Sequence, residues 1–364
     1  MLRTALIGFP LSGKTTLFQL MTSHREAPRG GHGKLDVSVG VARVPDARLD
    51  HLTEMYQPRK RVPATVEFAD IAAATRTAAQ ALLDVAPFRD ADALVHVVRA
   101  FVDPAVARGT GSTTPARDAQ AMEDELILAD LAVAERRVER IERDLKKAKT
   151  AELEKERDVI TRCREALEHA TPIRALPMHE EDRKRLRGFQ FLSAKPLLLV
   201  VNIDEADLAA LSVPGRAADE AGLGAFLARG ATREAAVCAK IELEIAQLDP
   251  ADAAPFLADL GLREAGIDRV IRAAYDLLGY ISFFTVGEDE CRAWSIPHNT
   301  IAQVAAGEIH TDIARGFIRA EVVSYDALVG RGSMQACKEH GEVRLEGKEY
   351  VVQDGDVITF RFAT

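Results

Sequence analysis

The chain has 364 residues, 47% hydrophobic and 28% charged, which exceeds one ordinary core and predicts two or three domains. A formal net charge of −9 argues against indiscriminate polyanion binding and leaves RNA to a local basic patch. No apolar run approaches bilayer length, the apolar N-terminal stretch runs into a glycine loop and not a cleavage site, and Cys163, Cys238, Cys291 and Cys337 show neither metal spacing nor a disulfide framework, so a cytoplasmic protein without a membrane role is expected.

The first element is a short, mostly apolar strand, Leu2 to Ile7. It runs into Gly8-Phe9-Pro10-Leu11-Ser12-Gly13-Lys14-Thr15, a G-x-x-x-x-G-K-[ST] loop, and Thr16 to Met21 read as the first turns of a helix. Strand, glycine loop and helix is the context this phosphate-binding motif requires. Backbone N–H groups along Leu11, Ser12, Gly13, Lys14, Thr15 and Thr16 form an anion cradle at the helix N-terminus. Lys14 is expected to reach the outer phosphates and to serve catalysis, and the Thr15 hydroxyl to bind Mg2+. Further strand-like runs are Ala64–Phe68 leading to Asp70, Ala93–Phe101, Pro196–Val201 ending at Asn202, and Ala235–Val237. Short buried strands alternating with helices predict a parallel α/β sheet, with ligand residues at the carboxyl ends of its strands. Gly8, Asp70 and Asn202 occupy such ends. His96, inside an apolar strand, reads as a packed core histidine.

Between about 119 and 191 the sheet pattern stops. Apolar residues recur at Leu131, Ala134, Val138, Ile141 and Leu145, then at Ile160, Cys163, Leu167 and Ala170, with charged residues between them. This spacing predicts an antiparallel coiled-coil hairpin turning near Lys149–Glu152, inserted in the α/β domain, with a basic end at Lys146, Lys147 and Lys149. From about 281, Ile281–Val286 and Ala293–Ile296 read as paired strands. Lys348–Val352, the Asp354-Gly355-Asp356 turn and Val357–Phe362 read as strand, turn, strand.

The chain resembles the YchF/Obg-like ATPases over nearly its full length. The resemblance is carried by Val44–Asp50, Glu67–Ala72, His96–Arg99, Asn202-Ile203-Asp204-Glu205, Arg292-Ala293-Trp294, Gly307–Asp312, Gly316–Ala320 and Asp354–Val357. It implies a P-loop G domain over 1–118 and 192–280, the helical coiled-coil insertion over 119–191, and a ubiquitin-like α+β TGS domain over 281–364. It also implies association with the ribosome or ribosomal RNA, and a monomer is expected. Asn202, Ile203 and Glu205 take the base-reading place where GTPases carry N-K-x-D, and Cys238-Ala239-Lys240 resembles the second base-contacting loop, so Ala239 and Lys240 join the base site. Glu205 for Asp and Ile203 for Lys weaken the penalty against adenine, since specificity is a difference of affinities. ATP is the implied ligand, with GTP also accepted. Asp70 matches the Asp of D-x-x-G that holds Mg2+.

Several positions depart from the family pattern. Leu11-Ser12 replace Asn-Val, Lys34 stands where a Thr would meet Mg2+, Ala73 replaces the D-x-x-G glycine, and Arg108 falls at the family's catalytic His, where it can stabilise transferring phosphate charge but cannot act as a neutral base. Two functions follow. One is a slow, Mg2+-dependent ATPase acting as a conformational switch on the ribosome. The other is a non-hydrolysing ATP-binding interaction protein with degenerate switch regions.

Overall fold

The computed structural model describes residues 2–22, 37–71, 86–102 and 114–363. The chain forms two compact units, Met1–Ala42 with Glu67–Leu277, and Arg43–Val66 with Leu278–Thr364. In chain order the strands are β1 (Arg3–Ile7), β2 (Val37–Arg43), β3 (Lys60–Val62), β4 (Thr65–Ile71), β5 (Ala93–Ala100), β6 (Leu197–Ile203), β7 (Thr232–Val237), β8 (Tyr280–Thr285), β9 (Glu290–Pro297), β10 (Phe317–Ser324), β11 (Arg344–Glu346) and β12 (Asp356–Phe362).

The first unit is built on a six-stranded sheet in the order β2-β4-β1-β5-β6-β7. The pairs from β4 to β7 are parallel, with Leu6 opposite Asp70 and Val95, and Asn202 opposite Val237. All seven residues of β6 are buried. A strand covered on both faces has no use for alternation, and so reads as a continuous apolar run.

The helix Pro115–Lys147 begins at Thr114, whose hydroxyl accepts from Arg117 N at 3.3 Å, with Pro115 already set for the first turn. Ala119, Met122 and Leu126 pack into the sheet's core with Leu94, Val98 and Leu199. The expected boundary at 118/119 therefore falls inside a helix whose first turns belong to the sheet. Farther along, Ala134, Val138 and Ile141 pack against Ile160, Cys163 and Leu167 of the helix Ala151–Glu168, as the apolar spacing predicts. Ala170 departs from that seam: the helix ends at Glu168, and Ala170 is exposed with φ 53°. At the hairpin's base Arg174 pairs with Glu123, both almost wholly buried. Asp130 accepts from Leu192 N at 2.9 Å and Ser193 N at 2.6 Å. Removing one partner of such a buried set strands a charge and is strongly destabilising.

The second unit has its own six-stranded sheet, β11-β10-β12-β8-β9-β3. Its membership departs from the expected boundaries. Arg43–Val66, expected in the first domain, supplies β3, parallel to β9, and the helix Ala47–Tyr56, whose Leu49 and Leu52 are fully buried. β8 and β9 pair antiparallel, as expected. Of the strand, turn, strand expected at the end, Val357–Phe362 lies in β12, while Lys348–Val352 forms no regular strand. Val351 makes one isolated bridge to Ile301, while β12 pairs antiparallel with β10 and parallel with β8. The turn between Val352 and Val357 spans Gln353–Asp356, where the Asp356 carboxylate accepts from Gln353 N at 2.9 Å and Tyr350 Oη at 2.8 Å. Tyr350–Val352 is instead hydrogen-bonded to Thr300–Ala302, Ala302 N donating to Tyr350 O at 2.7 Å and Val352 N to Thr300 O at 3.0 Å. Among the described residues no helix is long and apolar enough to cross a membrane. All four cysteines are buried and free.

Candidate nucleotide-binding site

The carboxyl ends of β1, β4, β5, β6 and β7 bring the site together, as the parallel sheet dictates. After β1 the loop turns through Gly8 (φ 142°), Leu11 (φ 63°) and Gly13 (φ 98°) before the helix Lys14–Thr22 starts. A Cβ on Gly8 would lie 2.5 Å from Val97 O, and one on Gly13 would collide with Asn202 Nδ2. Both glycines therefore answer to close approach as well as to positive φ.

Lys14 arches back over the loop, its Nζ donating to Gly8 O at 2.7 Å and Phe9 O at 2.8 Å. Burial pulls its ammonium down to about 8, against the upward influence of Asp70. The Thr15 hydroxyl donates to Asp70 Oδ2 at 2.9 Å, so strand β4 delivers its carboxylate to the first turn of the helix. Ser12 Oγ is buried without a hydrogen-bond partner among the described residues. The donor set fits a phosphate with Mg2+: hard oxygen donors from Thr15 and Asp70 side by side, one ammonium, and the N-terminus of the helix Lys14–Thr22, whose first-turn N–H groups have no acceptor within the helix. Mg2+ takes one or two protein ligands and completes its shell with phosphate oxygens and water, so two residues suffice.

Beside the phosphate loop lies a cavity of about 470 Å³ lined by all five residues expected at the base: Asn202, Ile203, Glu205, Ala239 and Lys240. Their parts differ. Asn202 is buried and bridges two loops, its Nδ2 donating to Ser12 O at 3.0 Å and its Oδ1 accepting from Ala239 N at 3.0 Å. Ile203 is 5% exposed and belongs to the apolar core, so it offers no stem along a base. Glu205 and Lys240 meet at the cavity, Nζ donating to Oε2 at 2.7 Å. That hydrogen bond raises the Lys240 ammonium above its ordinary value. Thr16, expected at the phosphates, also lines this cavity. Phe101 lines it too, with the Arg99 guanidinium 4.9 Å from its ring centre. Sequence reading missed Phe101 as a base-site residue, although an aromatic at the end of an apolar strand of a parallel sheet was the available signal.

His96 is 2% exposed, and burial drives its imidazole down to about 3, so it stays neutral as a core residue. Lys34, Ala73 and Arg108 lie outside the described residues.

A family model named YchF-GTPase_C, described as a protein of unknown function, matches residues 280–363. The chain is similar to proteins named ribosome-binding ATPase YchF from Bacillus subtilis (40% identical over 366 residues, 99% of each chain) and Escherichia coli (36% over 370 residues, 99% of each). It is also similar to a solved structure titled as the Schizosaccharomyces pombe YchF GTPase, 28% identical, with TM-score 0.82, covering 99% of this chain and 97% of that one.

Proposed function

The chain belongs to the YchF family, and on that premise we propose that it is a ribosome-associated ATPase, a cytoplasmic monomer that binds ATP with Mg2+ and hydrolyses it slowly as a conformational switch. The observation that carries the nucleotide part is the convergence of Lys14, Thr15 and Asp70 beside a base-sized cavity. The ribosome part rests on the names of the relatives.

In this reading Lys14 leaves the carbonyls of Gly8 and Phe9 for the outer phosphates, where its charge counts most because the loop has excluded water. The amides of Ser12 to Thr16 hold the remaining phosphate oxygens. Thr15 and Asp70 hold Mg2+, which when bound offsets charge on the transferring phosphoryl group. Asn202 fixes the phosphate loop against the loop of Ala239, so that phosphates and base are gripped in one geometry. Catalysis by such a site is positioning and electrostatics, and no covalent step falls to the protein.

Calorimetry with ATP, and phosphate release by the same protein, test this. Lys14→Ala should weaken ATP binding at least tenfold, about 1.4 kcal/mol, and abolish phosphate release. Unchanged affinity in that variant would take the phosphate loop out of the function. ATP binding without any Lys14-dependent release would leave a binding protein and not an enzyme.

A further inference from the structure

A second cavity, of about 480 Å³, lies against β7, the last strand of the first sheet, and shares no residue with the one beside the phosphate loop. Leu211, Val213 and Leu262 give it apolar walls, while Glu234 of β7 and Arg269 of the helix Gly266–Leu277 bring charge to it. Glu264, also in the wall, is already taken by Arg272 Nη2 at 2.7 Å. An apolar cavity of this size with a few polar groups is the ordinary form of a small-molecule site.

Glu234 and Arg269 are each half engaged. Arg269 donates through Nη1 to Leu211 O at 2.7 Å, and its Nε and Nη2 are buried with no hydrogen-bond partner among the described residues. Those two N–H groups form one edge of the planar fork, the edge that can hold a carboxylate by two parallel bonds. Glu234 Oε1 accepts from Gly215 N at 2.7 Å, and its Oε2 is likewise buried without a partner. The two unengaged edges are opposite in sign, belong to one cavity and do not bond to each other. A buried charge without a partner is costly. An anion in the cavity would satisfy Arg269 and be repelled by Glu234, and a cation would do the reverse. A ligand that carries both charges satisfies both.

We infer that this cavity binds a free α-amino acid with a large apolar side chain. Its carboxylate takes the Nε–Nη2 edge of Arg269, its ammonium donates to Glu234 Oε2, and its side chain lies against Leu211, Val213 and Leu262. Both polar edges are shielded from bulk water, so the ligand meets them by a small turn of the guanidinium about its Nη1 anchor. The site is separate from the nucleotide site and needs none of its residues.

The test is calorimetric titration of the full chain with L-phenylalanine and with its two single-charge counterparts, 3-phenylpropionate and phenethylamine. L-Phenylalanine should bind saturably at one site, and each counterpart at least tenfold more weakly, because each leaves one buried charge unpaired. Glu234→Gln keeps the size of the side chain and an oxygen for Gly215 N, and Arg269→Gln removes the fork; each should weaken L-phenylalanine at least tenfold. Arg269→Gln also loses the bond to Leu211 O, so Glu234→Gln is the decisive variant, with its unchanged ATP affinity as the check that the fold is intact. Absence of saturable L-phenylalanine binding at millimolar concentration overturns the inference and leaves the two edges to water. Binding of 3-phenylpropionate as tight as that of L-phenylalanine overturns it in favour of a plain anion site, and L-phenylalanine affinity within twofold of wild type in Glu234→Gln overturns it as well.

Discussion

Arg48 Nη1 stands 2.7 Å from Asp354 Oδ2, 306 residues apart in the chain. The same guanidinium reaches Asp46 through Nε at 3.0 Å and Nη2 at 2.8 Å, and lies 5.2 Å from the centre of the Phe284 ring. Asp354 in turn accepts from Ser282 N at 2.9 Å. Two of the strings that carry the family resemblance, Val44–Asp50 and Asp354–Val357, are thus halves of one ionic knot inside the second unit, with a structural role and no part in the chemistry. Arg48→Ala should destabilise that unit by about 1.5–3 kcal/mol, the range for hydrogen bonds to charged groups. Trp294, the single tryptophan, lies in β9 and reports the transition by fluorescence in urea. Arg48→Lys should recover little, because an ammonium cannot serve two carboxylates in a planar fork. An unshifted midpoint for Arg48→Ala would reduce the knot to a surface contact.

Gly13 and Gly215 both have positive φ, 98° and 81°, but only Gly13 would drive a Cβ into a neighbour. Gly215→Ala should cost about 1 kcal/mol of stability with nucleotide affinity unchanged, since strain is its sole penalty. Gly13→Ala must push on the Asn202 amide as well, which breaks the bridge to Ser12 O and Ala239 N. ATP affinity should drop at least tenfold. Calorimetry on the two variants separates backbone strain from loss of the bridge, and equal affinity in both would mean the bridge does not matter for binding.

Much of the site was legible because its chemistry is local. A phosphate cradle needs glycines, a lysine and a hydroxyl at fixed spacing, and Gly8, Gly13, Lys14 and Thr15 supply them within eight residues. Asp70 was legible as the end of an apolar run. The tasks of Asn202 and Lys240 were hidden, since the first depends on Ser12, 190 positions away, and the second on a neighbour contributed by another strand end. Likewise nothing near Arg48 announces Asp354. The strand-like Tyr350-Val351-Val352 does pair, with Thr300–Ala302, but the pairing stays a single bridge because the partner segment turns into the helix that begins at Ala302.

The Lys14 ammonium, brought down to about 8 by burial, gives the site a pH signature. Phosphate charge favours its protonated form, so binding ATP should raise that value. Between about pH 8 and 9 the free protein is partly deprotonated there, and binding should take up a proton. Affinity should be full below pH 8 and decline as pH rises through it. Calorimetry in two buffers of different ionisation enthalpy measures the uptake, and Lys14→Ala should abolish it. The free protein behaves oppositely. Its folded Lys14 value lies below the unfolded one of 10.5, so the cost of burying that charge is present below pH 8 and is relieved as pH rises from about 8 to 10.5.

The tip of the helical hairpin offers Lys146, Lys147 and Lys149, all exposed, with Lys147 only loosely paired to Asp144 at 3.7 Å. If the protein approaches ribosomal RNA there, reversing all three charges should reduce co-sedimentation with ribosomes. The salt dependence of wild-type binding should flatten in the variant, by counterion release from fewer phosphates. Sedimentation of the triple variant that matches wild type from low to moderate salt would clear the tip and turn attention to the second unit.

The second unit also has a history in time. Its β3 and the helix carrying Leu49 and Leu52 are made early, and the strands they pack against lie after Leu277. At synthesis rates of about 5–20 residues per second, the segment Arg43–Val66 leaves the ribosome on the order of ten seconds or more before its partner strands exist. During that interval the two leucines, fully buried in the finished unit, have no core to enter. The gene order therefore makes the last stretch of translation, not the first, the moment at which an early piece of the chain finds its place.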